Sequence, residues 1–218
     1  MIVKNRLDEY FKLMEERPEH FLSSDVISIV KDRAALEEYA KTSGVDLGVV
    51  YKSNFNLLVV DLVESGGKRF PYERVISARD GRGVICVPVY KGKLLLLDQY
   101  RHATRSQQLS FPRGFGENGL SSLENAKKEL WEEIGAFCDK LLKLGELTPD
   151  SGLTSALCDV YLCHVDAFIN NHEEGIIDIV CLSLSEVKSL VASGEIVDGF
   201  TLSAISLLDA KKIDLASV

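Results

Sequence analysis

Between Lys4 and Thr42, apolar positions such as Leu7, Tyr10, Phe11 and Met14 recur every three or four residues with charges between them. That spacing predicts a helical leader. Pro18 cannot sit inside a helix without breaking it, so the leader is expected as two helices. From Gly44 the period changes. Val49 to Val63 and Tyr72 to Ala78 read as strands separated by the turn-forming Ser65-Gly66-Gly67, and Val84 to Tyr90 with Leu94 to Gln99 read as a hairpin closed by Lys91-Gly92-Lys93. After Pro112 the chain is Gly-rich through Gly119. Ser121 and Glu124 then have the spacing of a capping box, which marks the start of a helix running to Glu133. Cys158 to Phe168 and Ile176 to Leu182 read as strands, followed by helices from Ser185 to about Ser193 and from Thr201 to about Lys211. Strands before and after one acidic helix predict an α/β or α+β sandwich with helices on a mixed sheet.

Composition narrows what such a fold does. With 218 residues and 46% hydrophobic content, the chain is long enough for one large domain, or for one domain plus a smaller attachment. A net charge of -8 argues against general binding to nucleic acid, which demands clustered Lys and Arg, but leaves room for a local basic pocket around a small anion. The five cysteines Cys86, Cys138, Cys158, Cys163 and Cys181 are odd in number and show no CxxC spacing. Free thiols in a reducing compartment are therefore expected rather than a disulfide framework or zinc site. No apolar run approaches the roughly 20 residues of a spanning helix, and no signal-peptide segment opens the chain, so a cytoplasmic protein without a membrane partner is expected.

The chemistry concentrates in the central helix. Glu129, Glu132 and Glu133 stand at i, i+3 and i+4, which brings their carboxylates to one face within a single turn. In a concave site three such charges call for a hard divalent cation, whereas an exposed face would merely solvate them. Leu123, Ala126, Leu130 and Ile134 mark another face, suited to packing on a sheet.

This segment resembles the Nudix box: a Gly, five residues, Glu, seven residues, Arg-Glu, an aliphatic residue, any residue, Glu-Glu, any residue, Gly. Gly114, Glu129, Leu130, Glu132, Glu133 and Gly135 fall at matching positions. Leu120 stands where the pattern has its first Glu, and Lys128 where it has Arg. Their joint alteration reads as the loss of a supporting ion pair. Ser110 occupies a place where relatives often carry Glu. Outside the box, Asp98-Gln99-Tyr100-Arg101, the turn Phe111-Pro112-Arg113-Gly114, and the stretch from Gly194 to Thr201 containing Asp198-Gly199-Phe200 look like the ADP-ribose pyrophosphatase and nucleoside-diphosphate-sugar branch.

The resemblance implies a Nudix-type α/β/α sandwich with a mixed sheet over residues 81–218 and an N-terminal antiparallel strand layer over 48–80; the helical leader over 1–47 lies outside it. It further implies magnesium, with manganese as an alternative, held by Glu129, Glu132, Glu133 and a carbonyl at Gly114. Glu132 and Glu133 would also serve catalysis, with Glu173 or Glu174 as general base, although an exposed acidic hairpin is the plainer reading of that loop. His172 beside them reads as a solvated histidine. Arg101 is expected to hold substrate phosphate; Arg113 is a second candidate for the same role, with a surface role equally open. The implied reaction is hydrolysis of a nucleoside diphosphate linked to a further group, ADP-ribose first, giving AMP and ribose 5-phosphate. A nucleotide sugar or dinucleotide is the runner-up substrate, and a degenerate domain that binds a nucleotide for regulation is the rival from another class. By analogy alone the chain is expected to form a homodimer through the strand layer.

Overall fold

The computed structural model describes residues 2–170 and 175–217. They divide into two compact units, one built from the chain up to Arg79 together with Asp150–Ala156, the other from Asp80–Pro149 together with the chain from Leu157 onward.

The first unit contains α1 (Ile2–Glu16), a short 3-10 helix (Pro18–Phe21), β1 (Ser28–Ile29), α2 (Arg33–Ser43), β2 (Gly48–Lys52), β3 (Asn56–Ser65) and β4 (Lys68–Ser77). Strand β3 is central: β4 pairs along its whole length, while β2 and β1 share its other edge, all antiparallel. Leu7 and Tyr10 of α1 and Leu36 of α2 pack with Val59, Val60, Leu62 and Ile76 in one core. The leader and the strand layer thus bury each other's apolar faces. The predicted strand from Val49 to Val63 is two strands, because Ser53 Oγ accepts the amides of Phe55 and Asn56 and turns the chain there. The break in the leader is wider than Pro18 alone. Asp32 caps α2 by accepting the Ala35 amide at 2.9 Å, so the residues before it are extended, and the Val30 amide pairs with the Leu62 carbonyl. One carboxylate lies inside this unit. Asp61, 2% exposed, accepts Tyr10 Oη at 2.6 Å and Arg74 Nε at 2.5 Å. Burial and then the adjoining Asp61 charge push the Tyr10 phenol well above its usual range, so it stays a donor.

The second unit contains β5 (Gly83–Tyr90), β6 (Lys93–Arg101), β7 (Ser106–Ser110), β8 (Arg113–Gly114), α3 (Ser122–Ile134), β9 (Leu141–Leu147), β10 (Cys158–His164), β11 (Ile176–Leu182), α4 (Leu184–Ser193) and α5 (Gly199–Ala210). The sheet order is β11-β6-β5-β10-β9, with β7 added on β6 and β8 on β5. Only β5 with β10 is parallel. Alternation along β5 and β6 loads both faces. Val84, Cys86, Leu95 and Leu97 pack with Ala126, Leu130 and Ile134 of α3. Ile85, Val87, Leu94 and Leu96 pack with Val187 of α4 and Ala204, Ile205 and Leu208 of α5. The unit is therefore an α/β/α sandwich on a mixed sheet. The hairpin between β5 and β6 closes on Lys91 and Gly92, both at positive φ, the twist that suits a two-residue turn. No described helix is long and apolar enough to cross a membrane.

Candidate active site

Helix α3 is fastened at both ends. Ser121 and Glu124 form the reciprocal capping box, and Gly135 closes the other end at φ 56°. Ser122 Oγ donates to Asp159 Oδ2 at 2.6 Å and also meets Tyr161 Oη at 2.7 Å. Asp159, 2% exposed on β10, additionally accepts Arg82 Nε and Lys143 Nζ, each at 2.9 Å. Burial alone would raise its pKa, but hydrogen bonds from Ser122 and Lys143 and the charge of Arg82 outweigh that and hold it below the usual carboxylate range. The buried aspartate thereby pins the start of α3 to the sheet.

Two of the three acids converge on one short strand. Glu133, 5% exposed, accepts the Arg113 amide at 2.9 Å through Oε2. The Glu129 carboxylate lies against Gly114, where an added Cβ would fall 1.9 Å from Glu129 Oε1, so a side chain at position 114 would displace that carboxylate. Strand β8 is itself held in register, with Val84 opposite Gly114 and Ile85 opposite Arg113, and the Pro112 carbonyl accepts the Cys86 amide at 2.8 Å. Glu132 turns elsewhere. Its carboxylate meets Lys128 Nζ at 2.5 Å, and the same ammonium lies 3.1 Å from Glu117. The supporting ion pair is therefore not lost with Leu120: Lys128 takes Glu117, three residues earlier in the loop. Partial burial pulls the Lys128 pKa down, but hydrogen bonds to Glu132 and Glu117 prevail and hold it above the ordinary lysine value.

The side chain of Arg113 is engaged within the unit. Nη1 lies 2.6 Å from Asp198 Oδ1, and the guanidinium stacks over Phe200 at 4.4 Å. Asp198 also caps α5 by accepting the Thr201 amide at 3.0 Å, and Thr201 Oγ1 accepts the Phe111 amide at 3.0 Å. The stretch from Gly194 to Thr201 thus ties α5 to the turn that carries Arg113 and Gly114. Arg101, the last residue of β6, donates from Nη2 to the buried Ser110 hydroxyl at 3.0 Å. Beside it, the Tyr100 amide donates to the Gly175 carbonyl at 3.0 Å. His172, Glu173 and Glu174, the last two expected as general base, lie outside the described residues.

Three contributors escape sequence reasoning. Asp159 sits in an apolar strand, Ser122 looks like a mere helix opener, and Glu117 is one polar residue in a Gly-rich loop. None carries a spacing signal. Among the cysteines, burial pushes Cys158 up to about 11, and Cys138, hydrogen-bonded to Cys163 and buried, is raised further, so neither is a ready nucleophile.

The donor set suits a hard divalent cation: carboxylate oxygens on one helical turn, facing a tight backbone turn that has carbonyls of its own. Among the described residues no three His, Cys, Asp or Glu side chains stand gathered as a metal cage. Glu132 engages Lys128 through Oε2.

Residues 79–197, more than half of the chain, match the family model described as the NUDIX domain. The ADP compounds hydrolase NudE of Escherichia coli (strain K12) is 35% identical over 94 residues, which is 43% of this chain and 50% of that protein. This alignment thus spans half the length of the relative. An ADP-ribose pyrophosphatase of Bacillus subtilis (strain 168) is 25% identical over 161 residues, covering 72% of this chain and 86% of the relative. A crystal structure of an ADP compounds hydrolase superposes with a TM-score of 0.64 at 23% identity, over 75% of this chain and 89% of that one, a likeness of fold.

Proposed function

The chain belongs to the Nudix hydrolase family, and from that premise we propose that it cleaves the diphosphate of a nucleoside diphosphate linked to a further group, with ADP-ribose as the leading substrate. The relatives named for ADP compounds and for ADP-ribose support that substrate class. The observation that carries the reading is the meeting of Glu129 and Glu133 on the Arg113–Gly114 strand.

In this reading Glu129, Glu132 and Glu133, with a carbonyl at Gly114, hold magnesium, manganese being the alternative. When bound, the metal neutralises diphosphate charge and activates a water. The chain's own part is positional. Arg113 presents its amide to Glu133, and Asp198 and Phe200 hold the Arg113 side chain, which fixes the strand under both acids. We therefore assign Arg113 to positioning these acids. Arg101, at the end of β6, is the group proposed to bind phosphate as a guanidinium fork. Glu173 or Glu174 is the proposed base that takes the proton from the attacking water.

The test is a screen of ADP-ribose, nucleotide sugars and dinucleotides, with and without magnesium, following AMP release. Metal-dependent release of AMP from ADP-ribose is expected. Tight binding of one compound with no cleavage of any would replace this reading by nucleotide binding without turnover.

A further inference from the structure

Lys128 stands where the Nudix pattern has its Arg, and Leu120 offers it no carboxylate at the pattern's first Glu position. It is shared between two carboxylates, Glu132 at 2.5 Å and Glu117 at 3.1 Å, and its side chain is about two-thirds covered, at 34% exposure. The two partners differ in kind. Glu132 sits on α3 among the candidate ligands. Glu117 belongs to a loop that is locked in place: a Cβ on Gly116 would fall 2.4 Å from the Gly81 carbonyl carbon, one on Gly81 would fall 3.0 Å from the Glu117 carbonyl oxygen, and the Asp80 amide donates to Asn118 Oδ1 at 2.7 Å. Glu117 thus projects from a fixed stretch of backbone, whereas Glu132 shares its Oε2 between the lysine and any cation held by the three acids.

We propose that Glu117 is a positioning residue which retains the Lys128 ammonium when Glu132 is given over to a divalent cation, so that the acidic turn releases its own lysine without stranding it. This rests on the metal-binding reading above. The physical case is a competition between like charges: an ammonium and a divalent cation repel each other across one carboxylate. With Glu117 present, Lys128 keeps an anionic partner as Glu132 leaves. Without it, Glu132 can leave only by breaking the lysine's remaining ion pair, and metal binding weakens. A lysine lying idly between two surface acids would instead contribute little to anything.

The test is a double-mutant cycle on the full chain: wild type, Glu117→Gln, Lys128→Met and the double variant. Each is titrated with Mn2+ alone, and the free ion is read by its electron paramagnetic resonance signal. Thermal unfolding in the absence of metal checks that all four fold alike. Glu117→Gln is expected to weaken Mn2+ binding by about 5-fold, a coupling typical of residues in contact. In the Lys128→Met background the same change is expected to shift affinity by less than about 2-fold, because the ammonium it serves is gone. An equal shift in both backgrounds means that Glu117 acts on the metal directly through its charge, and overturns the proposal, as does no shift in either. If the wild type binds no Mn2+, the metal-site reading itself fails and takes this proposal with it, a result distinguishable from the other two.

Discussion

Each compact unit uses a buried aspartate to fasten a helix to a sheet, yet the two devices differ in what hangs from them. Asp61 binds α1 to β3 and β4 through Tyr10 and Arg74, and Arg74 is well covered, at 13% exposure. Asp159 binds α3 to β10 through Ser122, while its cations Arg82 and Lys143 stand at the rim, at 36% and 46% exposure. The first network is closed and serves packing. The second holds the helix that bears Glu129, Glu132 and Glu133, so a loosened network there displaces chemistry as well as structure. Similar burial of a similar residue therefore means stability in one unit and stability plus alignment in the other.

The hardest way to break the contrast is to touch the acids themselves. Glu133→Gln keeps the shape of the side chain but removes a proposed metal ligand, and should lower kcat/KM for ADP-ribose by about 1,000-fold, the scale of several kcal/mol of lost charge stabilisation. Urea unfolding should meanwhile change little. A loss under about 10-fold would detach the acidic turn from turnover.

The two aspartates come next, measured side by side. Asp61→Asn leaves the buried Arg74 poorly matched and should cost about 3 kcal/mol in urea unfolding, with turnover per folded molecule unchanged. Asp159→Asn should cost less, about 2 kcal/mol, because its cations remain solvated, but should also lower turnover per folded molecule by about 10-fold. Equal effects of both variants on turnover would erase the distinction.

A subtler difference lies in acid. The folded-state pKa of Asp159 is depressed, so its contribution is fully present above the ordinary value of 3.8 and is lost as pH falls through the lower folded value. The stability gap between wild type and Asp159→Asn should therefore be constant near neutrality and narrow only below about pH 4. A gap that closed already between pH 6 and 8 would point to another group. The smallest effect belongs to the cap of α3: Ser121→Ala should cost about 1 kcal/mol in unfolding.

The parts that periodicity announces are those in which one face is buried and the chain is punctuated by strong turn formers. Helix α3 could be read to within a residue, because Ser121, Glu124 and Gly135 mark its ends and Ala126, Leu130 and Ile134 its buried stripe. The hairpin at Lys91-Gly92 was legible for the same reason. Strand β9 was not, since among its seven residues only Leu144 is buried and no alternation shows. Strand β7 is a polar Ser-Gln-Gln-Leu-Ser run, and β8 is two residues long; both exist through pairing with β6 and β5, which sequence does not display. The site divides likewise. Spacing along one helix gathers Glu129, Glu132 and Glu133, but that Glu132 faces Lys128, that Lys128 reaches back to Glu117, and that Asp198 holds Arg113 are consequences of how distant segments meet. Such contacts leave no period in the chain.

The most direct measurement is the structure of the full chain with Mn2+ and a non-hydrolysable ADP-ribose analogue, with the ion located by anomalous scattering. The account predicts an ion bound about 2.1 to 2.2 Å from carboxylate oxygens of Glu129 and Glu133, the hard-cation distance, touching the analogue's diphosphate, with Glu132 turned away from Lys128. An ion bound elsewhere, with Glu129 and Glu133 still closed on Arg113 and Gly114 and no diphosphate beside them, would contradict it.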